Sequence, residues 1–136
     1  MASVTDNALS IGELARQSGL SPHTLRFYEA KGILRPAVRA TSGHRRYRPE
    51  DVLWLEFVLR LKLTGMPLAE IRQYADLRAR GDGTLAARLA MLELHRERLA
   101  ARLKELSTCA LVLDDKIRLY RRMITKARTP KGKAKT

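Results

Sequence analysis

From Leu85 onward, apolar residues recur in alternating steps of four and three: Leu85, Leu89, Leu92, Leu99, Leu103, Leu106, Leu113, Ile117, Tyr120 and Ile124. Arg96 and Ala110 fill the remaining positions of the series. Heptad spacing of this kind predicts one long helix over 84–125 with a single apolar stripe. At 1.5 Å per residue such a helix is about 60 Å long, more than the roughly 80 residues before it can cover. Left in water the stripe would stay exposed, so it is expected to pair with a copy of itself. Leu85, Leu89, Leu92, Leu99, Leu103, Leu106, Leu113, Ile117 and Tyr120 are therefore assigned to the seam of a coiled-coil homodimer. Arg96 restricts the register, because a charge at a seam tolerates few pairings.

The segment ahead of this helix reads as a second kind of unit. Ser10-Ile-Gly-Glu13 has the spacing of a capping box and opens a helix with Ile11, Leu14 and Ala15 on one face. Gly19 suits a tight turn that needs a left-handed backbone. Ser21 is a good N-cap, and Pro22 fits the first helical position, where its missing N–H costs nothing. In the short helix that follows, Leu25 is expected to point inward and His23, Thr24, Arg26 and Tyr28 outward. Lys31-Gly32 closes it. Helix, glycine turn, helix is the outline of a helix-turn-helix.

Beyond it, Val38 to Tyr47 is expected to form a short hairpin turning at Thr41-Ser42-Gly43. Between Lys31 and Arg48 there are six basic residues and no acid. Basic density on a hairpin suits gripping phosphates, although an arginine-rich loop can also be merely solvated. Pro49-Glu50-Asp51 starts another helix, with acids placed against its dipole. Between Val52 and Leu63 that helix has little polar face and must bury more than one side. Gly65-Met66-Pro67 breaks it, a further helix carries Leu68, Ile71 and Ala75, and Gly81-Asp82-Gly83 is a stop.

The expected fold is mainly α: a leader over 1–9, a winged helix-turn-helix domain over 10–80, a dimerisation helix over 84–125 and a disordered basic tail over 126–136. The 136 residues carry 27 basic and 14 acidic side chains, for a net charge of +13. A magnitude of about 2–8 suffices for solubility in a small domain, so the excess points to a polyanion, nucleic acid before an anionic membrane. No signal peptide or run of ~20 apolar residues is visible, and a cytoplasmic, nucleoid-associated protein is expected. The one cysteine, Cys109, allows no internal disulfide and makes no metal site. No cofactor is expected. Neither paired carboxylates, a nucleophile with its base, nor a phosphate-cradling loop stands out, which argues against an enzyme. The alternative to sequence-specific regulation is a nonspecific architectural DNA-binding protein.

Five blocks in this order carry a family resemblance: Ile11-Gly-Glu-Leu-Ala; Ser21 to Tyr28 with Glu29-Ala-Lys-Gly; Ser42-Gly-His-Arg-Arg-Tyr47; Glu50-Asp51-Val; and Gly65-Met-Pro-Leu-Ala-Glu-Ile71. Over about residues 10–80 the chain resembles the MerR family of bacterial transcription regulators. The resemblance implies a winged helix-turn-helix, a two-helix second wing and a dimerisation helix that pairs antiparallel. It places Thr24, Arg26 and Tyr28 on the recognition helix in the major groove, and Arg39, Arg45 and Tyr47 on the first wing. His23 falls at a position that varies between members, which makes it a candidate for sequence choice. His44 departs from the tyrosine or phenylalanine usual there, and Phe27 is assigned to the core.

The resemblance further implies a homodimer bound to a near-palindromic operator between two promoter elements, bending and undertwisting the spacer for RNA polymerase. A small-molecule effector, where there is one, goes unidentified. Metal-sensing members carry cysteines at the start of the dimerisation helix; this chain has Arg80-Gly-Asp-Gly-Thr84 there. Residues such as Ile71, Tyr74, Arg88, His95 and Lys116 are similar to a short-chain subgroup that includes aldehyde- and electrophile-responsive regulators. In that subgroup the sensing cysteine lies six residues past a tryptophan; counting from Trp54 reaches Arg60. His95 is taken as a polar surface residue, and Cys109 as an inert thiol flanking the seam.

Overall fold

Ser10 turns the chain into its first helix, α1 (Ile11–Ser18). Its Oγ accepts the Glu13 N–H at 3.1 Å while the Glu13 carboxylate accepts the Ser10 N–H at 3.3 Å, so two otherwise orphaned donors are satisfied reciprocally. The structure is a computed structural model and describes residues 8–36, 38–39 and 45–128. At the end of α1, Gly19 adopts a left-handed φ of 76° and returns its N–H to the Ala15 carbonyl. Ser21 then caps α2 (Pro22–Ala30) by accepting the Thr24 N–H at 3.1 Å. Gly32, also at φ 76°, lies under the Arg72 side chain, where a β-carbon would meet Arg72 Nε at 3.4 Å.

Two short strands follow, β1 (Val38–Arg39) and β2 (Arg45–Arg46), paired antiparallel with Val38 opposite Arg46 and Arg39 opposite Arg45. The expected turn at Thr41-Ser42-Gly43 and the His44 position lie outside the described residues, as do the side chains of Arg39 and Arg45. Leu9 and Tyr47 exchange both backbone hydrogen bonds, at 2.7 and 2.8 Å, which ties the chain ahead of α1 to the strand leaving the wing. Leu9 is buried as well. The expected leader over 1–9 therefore includes one residue that is part of the core; residues 1–7 lie outside the described set.

The remaining elements are α3 (Glu50–Leu63), α4 (Leu68–Ala79), a 3-10 turn (Asp82–Thr84) and α5 (Leu85–Arg128). α5 begins one residue after the expected boundary because the 3-10 turn occupies 82–84. It also runs through Lys126, Ala127 and Arg128, which the expected tail had claimed. Cations at a helix C-terminus oppose its dipole and favour that extension.

Two compact units emerge, one ending at His95 and one starting at Arg96. The core of the first is built from Leu14, Leu25, Leu34, Tyr47, Leu55, Val58 and Ile71, all essentially inaccessible to solvent. Leu25 is inward as expected, and Ile11 and Ala15 flank the same core. α3 buries Trp54, Leu55, Val58 and Leu61, while Leu53 and Leu63 stay exposed.

The first turns of α5 belong to this unit. Met91 and Leu92 pack against its core, so Leu92, assigned to the dimer seam, is engaged within its own chain. His95 is a correction: it is buried, and its Nε2 lies 2.7 Å from Thr64 Oγ1. The Thr64 hydroxyl also reaches the Arg60 carbonyl at 2.7 Å, and the direction of its hydrogen bond with His95 follows the imidazole tautomer. Burial with a satisfied partner makes it a clasp between the end of α3 and α5 rather than a surface residue. In the second unit Leu99 is half-buried and the rest of described α5 is exposed, with Leu103, Leu106, Leu113, Ile117 and Tyr120 open to solvent.

Candidate nucleic-acid interface

α2 offers one solvent face. Leu25 and Tyr28, three apart, bury the inner side, and His23, Arg26, Phe27, Ala30 and Lys31 are exposed on the other. Thr24 is half-buried, and its Oγ1 accepts the Ser21 hydroxyl at 3.0 Å. Of the residues expected to face outward, His23 and Arg26 do so and Tyr28 does not. Consecutive residues on a helix diverge by about 100°, so only one ring of Phe27-Tyr28 can follow Leu25 inward. Tyr28 takes that place at 3% exposure, and Phe27, assigned to the core, is left 42% exposed. Its ring leans on Tyr28 with centroids 5.9 Å apart, and the Lys31 ammonium lies 5.6 Å above it.

Tyr47 is the second correction among the expected contacts. It is fully buried, and its hydroxyl donates to a Glu29 carboxylate oxygen. The residue thus works as a strut between the end of β2 and the outer turn of α2, not as a surface contact. Arg46 is half-buried and Arg48 exposed. Arg35, one of the six basic residues of the wing region, pairs with Asp76 of α4 at 2.8 Å, an exposed bridge of small energetic weight.

Behind α2, the start of α3 is fixed by a polar cluster that residue patterns did not reveal. The Trp54 indole N–H donates to the Ile33 carbonyl at 2.8 Å, holding the chain that leaves α2. One face of the indole stacks on Tyr74 at 5.8 Å and 9°, and the Arg78 guanidinium lies 4.6 Å from its centroid. Asp51, 2% exposed, accepts the Arg48 N–H at 2.9 Å. Its place in the first turn was legible as a dipole effect; the backbone cap three residues back was not. A cleft of about 360 Å³ opens here, lined by Ile33, Arg48, Asp51, Trp54, Arg78 and Arg88 among others. Two of its cations are engaged: Arg78 beside Asp51, and Arg88 on the Gly81 carbonyl and Thr84 hydroxyl at 3.1 and 3.0 Å.

Burial pushes the Asp51 carboxyl above its ordinary value of 3.8, more than the Arg48 N–H and the nearby guanidiniums lower it. Desolvation likewise lowers Arg78, with Asp51 opposing. The folded state thus holds the Asp51 proton more tightly than the unfolded chain. Stability attributable to this group falls as pH rises from about 3.8 through its raised folded pKa. Glu13 acts in the reverse sense. The Ser10 hydroxyl and N–H lower its pKa below 4.5, so its contribution is present above that value and lost as pH falls through the folded one. Asp51→Asn removes only the first effect. Urea unfolding at a series of pH values from 3.5 to 7 should show the variant gaining on the wild type as pH rises; a constant difference would contradict the assignment.

Three comparisons bear on this arrangement. Residues 9–77 match the family model described as MerR HTH family regulatory protein, and residues 52–116 match the model described as MerR, DNA binding. The HTH-type transcriptional regulator AdhR of Bacillus subtilis (strain 168) is 37% identical over 91 residues, covering 67% of this chain and 65% of AdhR. An uncharacterized HTH-type transcriptional regulator of Haemophilus influenzae is 33% identical over 108 residues, covering 79% of this chain and 80% of that protein. Among solved structures, HiNmlR, a MerR family regulator lacking the sensor domain and bound to promoter DNA, superposes with a TM-score of 0.74 at 30% identity. That match covers 87% of this chain and 94% of HiNmlR. Among the described residues, no helix is long and apolar enough to cross a membrane.

Proposed function

We propose that this chain, which belongs to the MerR family of helix-turn-helix regulatory proteins, binds a near-palindromic operator in a promoter as a homodimer and controls transcription by bending and undertwisting the spacer. The observation that carries this reading is α2: a capped helix anchored by Leu25 and Tyr28, with Arg26 and His23 on its open face. A helix so presented enters the major groove, where side chains near its N-terminus reach base edges. His23 and Arg26 are the direct contacts in this reading, with Thr24 at the edge of the face. Arg39, His44 and Arg45 are placed on the phosphates beside it. Tyr28 and Tyr47 support that surface from within.

The second half of the reading rests on α5. Its exposed stripe from Leu103 to Tyr120 joins two copies, so that two α2 helices address two half-sites. The domain division follows accordingly: a DNA-binding domain over about 10–80 and a dimerisation helix beyond 84. Deforming a duplex between fixed half-sites costs of order 1–6 kcal/mol, within reach of the phosphate contacts a strongly basic dimer can make. RNA polymerase at the same promoter is the expected partner, and an effector needs only to favour one dimer geometry over another. Regulation rather than catalysis is the role proposed for the chain.

Competition binding separates this reading from a nonspecific architectural role. A duplex selected from a random pool should outcompete bulk DNA by about 10³ or more at physiological salt, whereas a ratio near one supports the architectural alternative. Arg26→Ala should weaken binding to the selected duplex about 10-fold or more per half-site, consistent with the loss of one good base or phosphate contact. Unchanged affinity, measured by fluorescence anisotropy, would remove Arg26 from the interface.

A further inference from the structure

We propose that Phe27 reads a thymine: its ring makes apolar contact with the 5-methyl group of one thymine in each operator half-site, and Lys31 holds the adjacent phosphate. The inference rests on the reading of α2 as the groove-entering helix. It starts from an anomaly. Phe27 is a large apolar side chain on the outward face of a helix whose inner face is already filled by Leu25 and Tyr28. It is 42% exposed and shares its surface with His23, Arg26 and Ala30, at the i, i+3, i+4 and i+7 positions of one face. Among the described residues its ring meets Tyr28 and Lys31, neighbours on its own helix. An exposed ring costs free energy in water unless a partner removes it from solvent.

The chemistry of a major groove supplies such a partner in one form only. Base edges there are hydrogen-bond donors and acceptors except for the thymine 5-methyl, which apolar side chains recognise by contact. Phe27 has no polar atom and discriminates by that methyl alone. Its ring rests in a tilted contact on the buried Tyr28, and an aromatic side chain has only two χ angles to lose on binding. The Lys31 ammonium, 5.6 Å above the ring, shields one face and sits one turn further along α2. A cation there can pair with a phosphate while the open edge of the ring meets the base. Arg26, the neighbouring residue, supplies polar readout on the same face. His23, one turn earlier, addresses the base pair before it.

The test uses the full chain and a duplex selected from a random pool by that chain. Each thymine is replaced singly by deoxyuridine, which deletes the methyl and nothing else. For wild type, one thymine in each half-site should show about a four-fold loss of affinity on replacement, the value of one buried methyl-sized group. Phe27→Ala should bind the thymine and deoxyuridine duplexes equally, and Phe27→Tyr, which retains the ring, should keep the difference. Circular dichroism of both variants verifies that the helices persist. If Phe27→Ala retains the full deoxyuridine sensitivity, or if wild type discriminates its site with no sensitive thymine, the proposal is overturned while specific DNA binding stands. A selected-to-random ratio near one overturns both together.

Discussion

Replacing both Leu106 and Leu113 by glutamate should give a chain that stays monomeric and no longer distinguishes its selected operator from random DNA. Both leucines are more than half exposed in the single chain, at 57% and 63%. Both lie in the second unit, which starts at Arg96. In a homodimer four such side chains leave water. At about 1.5–3 kcal/mol each, their loss removes roughly 6–12 kcal/mol of association free energy, before the cost of burying the new carboxylates. The dimer dissociation constant should therefore rise by more than about 10⁴-fold. The monomer keeps its helix-turn-helix but meets only one half-site, so operator preference collapses towards the nonspecific level. Sedimentation equilibrium reads the first effect and competition binding the second. A double variant that remains dimeric would show that the seam lies elsewhere on α5.

The second large effect is on stability. Trp54→Ala removes an indole that is 5% exposed, stacks on Tyr74 and supports Arg78, and it leaves the Ile33 carbonyl without its donor. Truncating a buried tryptophan costs about 3–5 kcal/mol, and an unsatisfied buried carbonyl adds about 1–3 kcal/mol. For a unit of this size the thermal midpoint should fall by more than about 10 °C. Trp54→Phe, which keeps a ring against Tyr74 but not the N–H, should lose roughly half as much. Equal melting of Trp54→Ala and wild type would mean that the α2–α3 junction is held by other contacts.

What could be read in the sequence was whatever local chemistry decides. The Ser10–Glu13 capping box, the left-handed Gly19 and the Ser21-Pro22 start each involve residues within four positions of one another, and each appears as expected. The heptad series of α5 is likewise a local pattern, and one helix spans it. Decisions taken between elements were not legible. Phe27 and Tyr28 are adjacent aromatics on a nine-residue helix, and which of them turns inward depends on Leu25 and the neighbouring elements. Tyr47 is placed on the wing by the family resemblance, through its position in the Ser42-Gly-His-Arg-Arg-Tyr47 block. Its burial follows from the backbone bridge to Leu9 and the hydrogen bond to Glu29, 18 positions earlier. His95 and Leu92 were read from the helix pattern alone, but the first turns of α5 lie on the core of the first unit, where Thr64 is a hydrogen-bond partner for His95. In each case the residue type and the element were right, and the partner came from elsewhere in the chain.

Two copies of this chain acting together on one duplex is the claim on which the rest depends. The direct measurement is the stoichiometry of the complex, by sedimentation or light scattering, with a single selected operator at concentrations just above its dissociation constant. The account predicts two chains per duplex and a free protein that is already dimeric. One chain per duplex, bound with full operator preference, would contradict it.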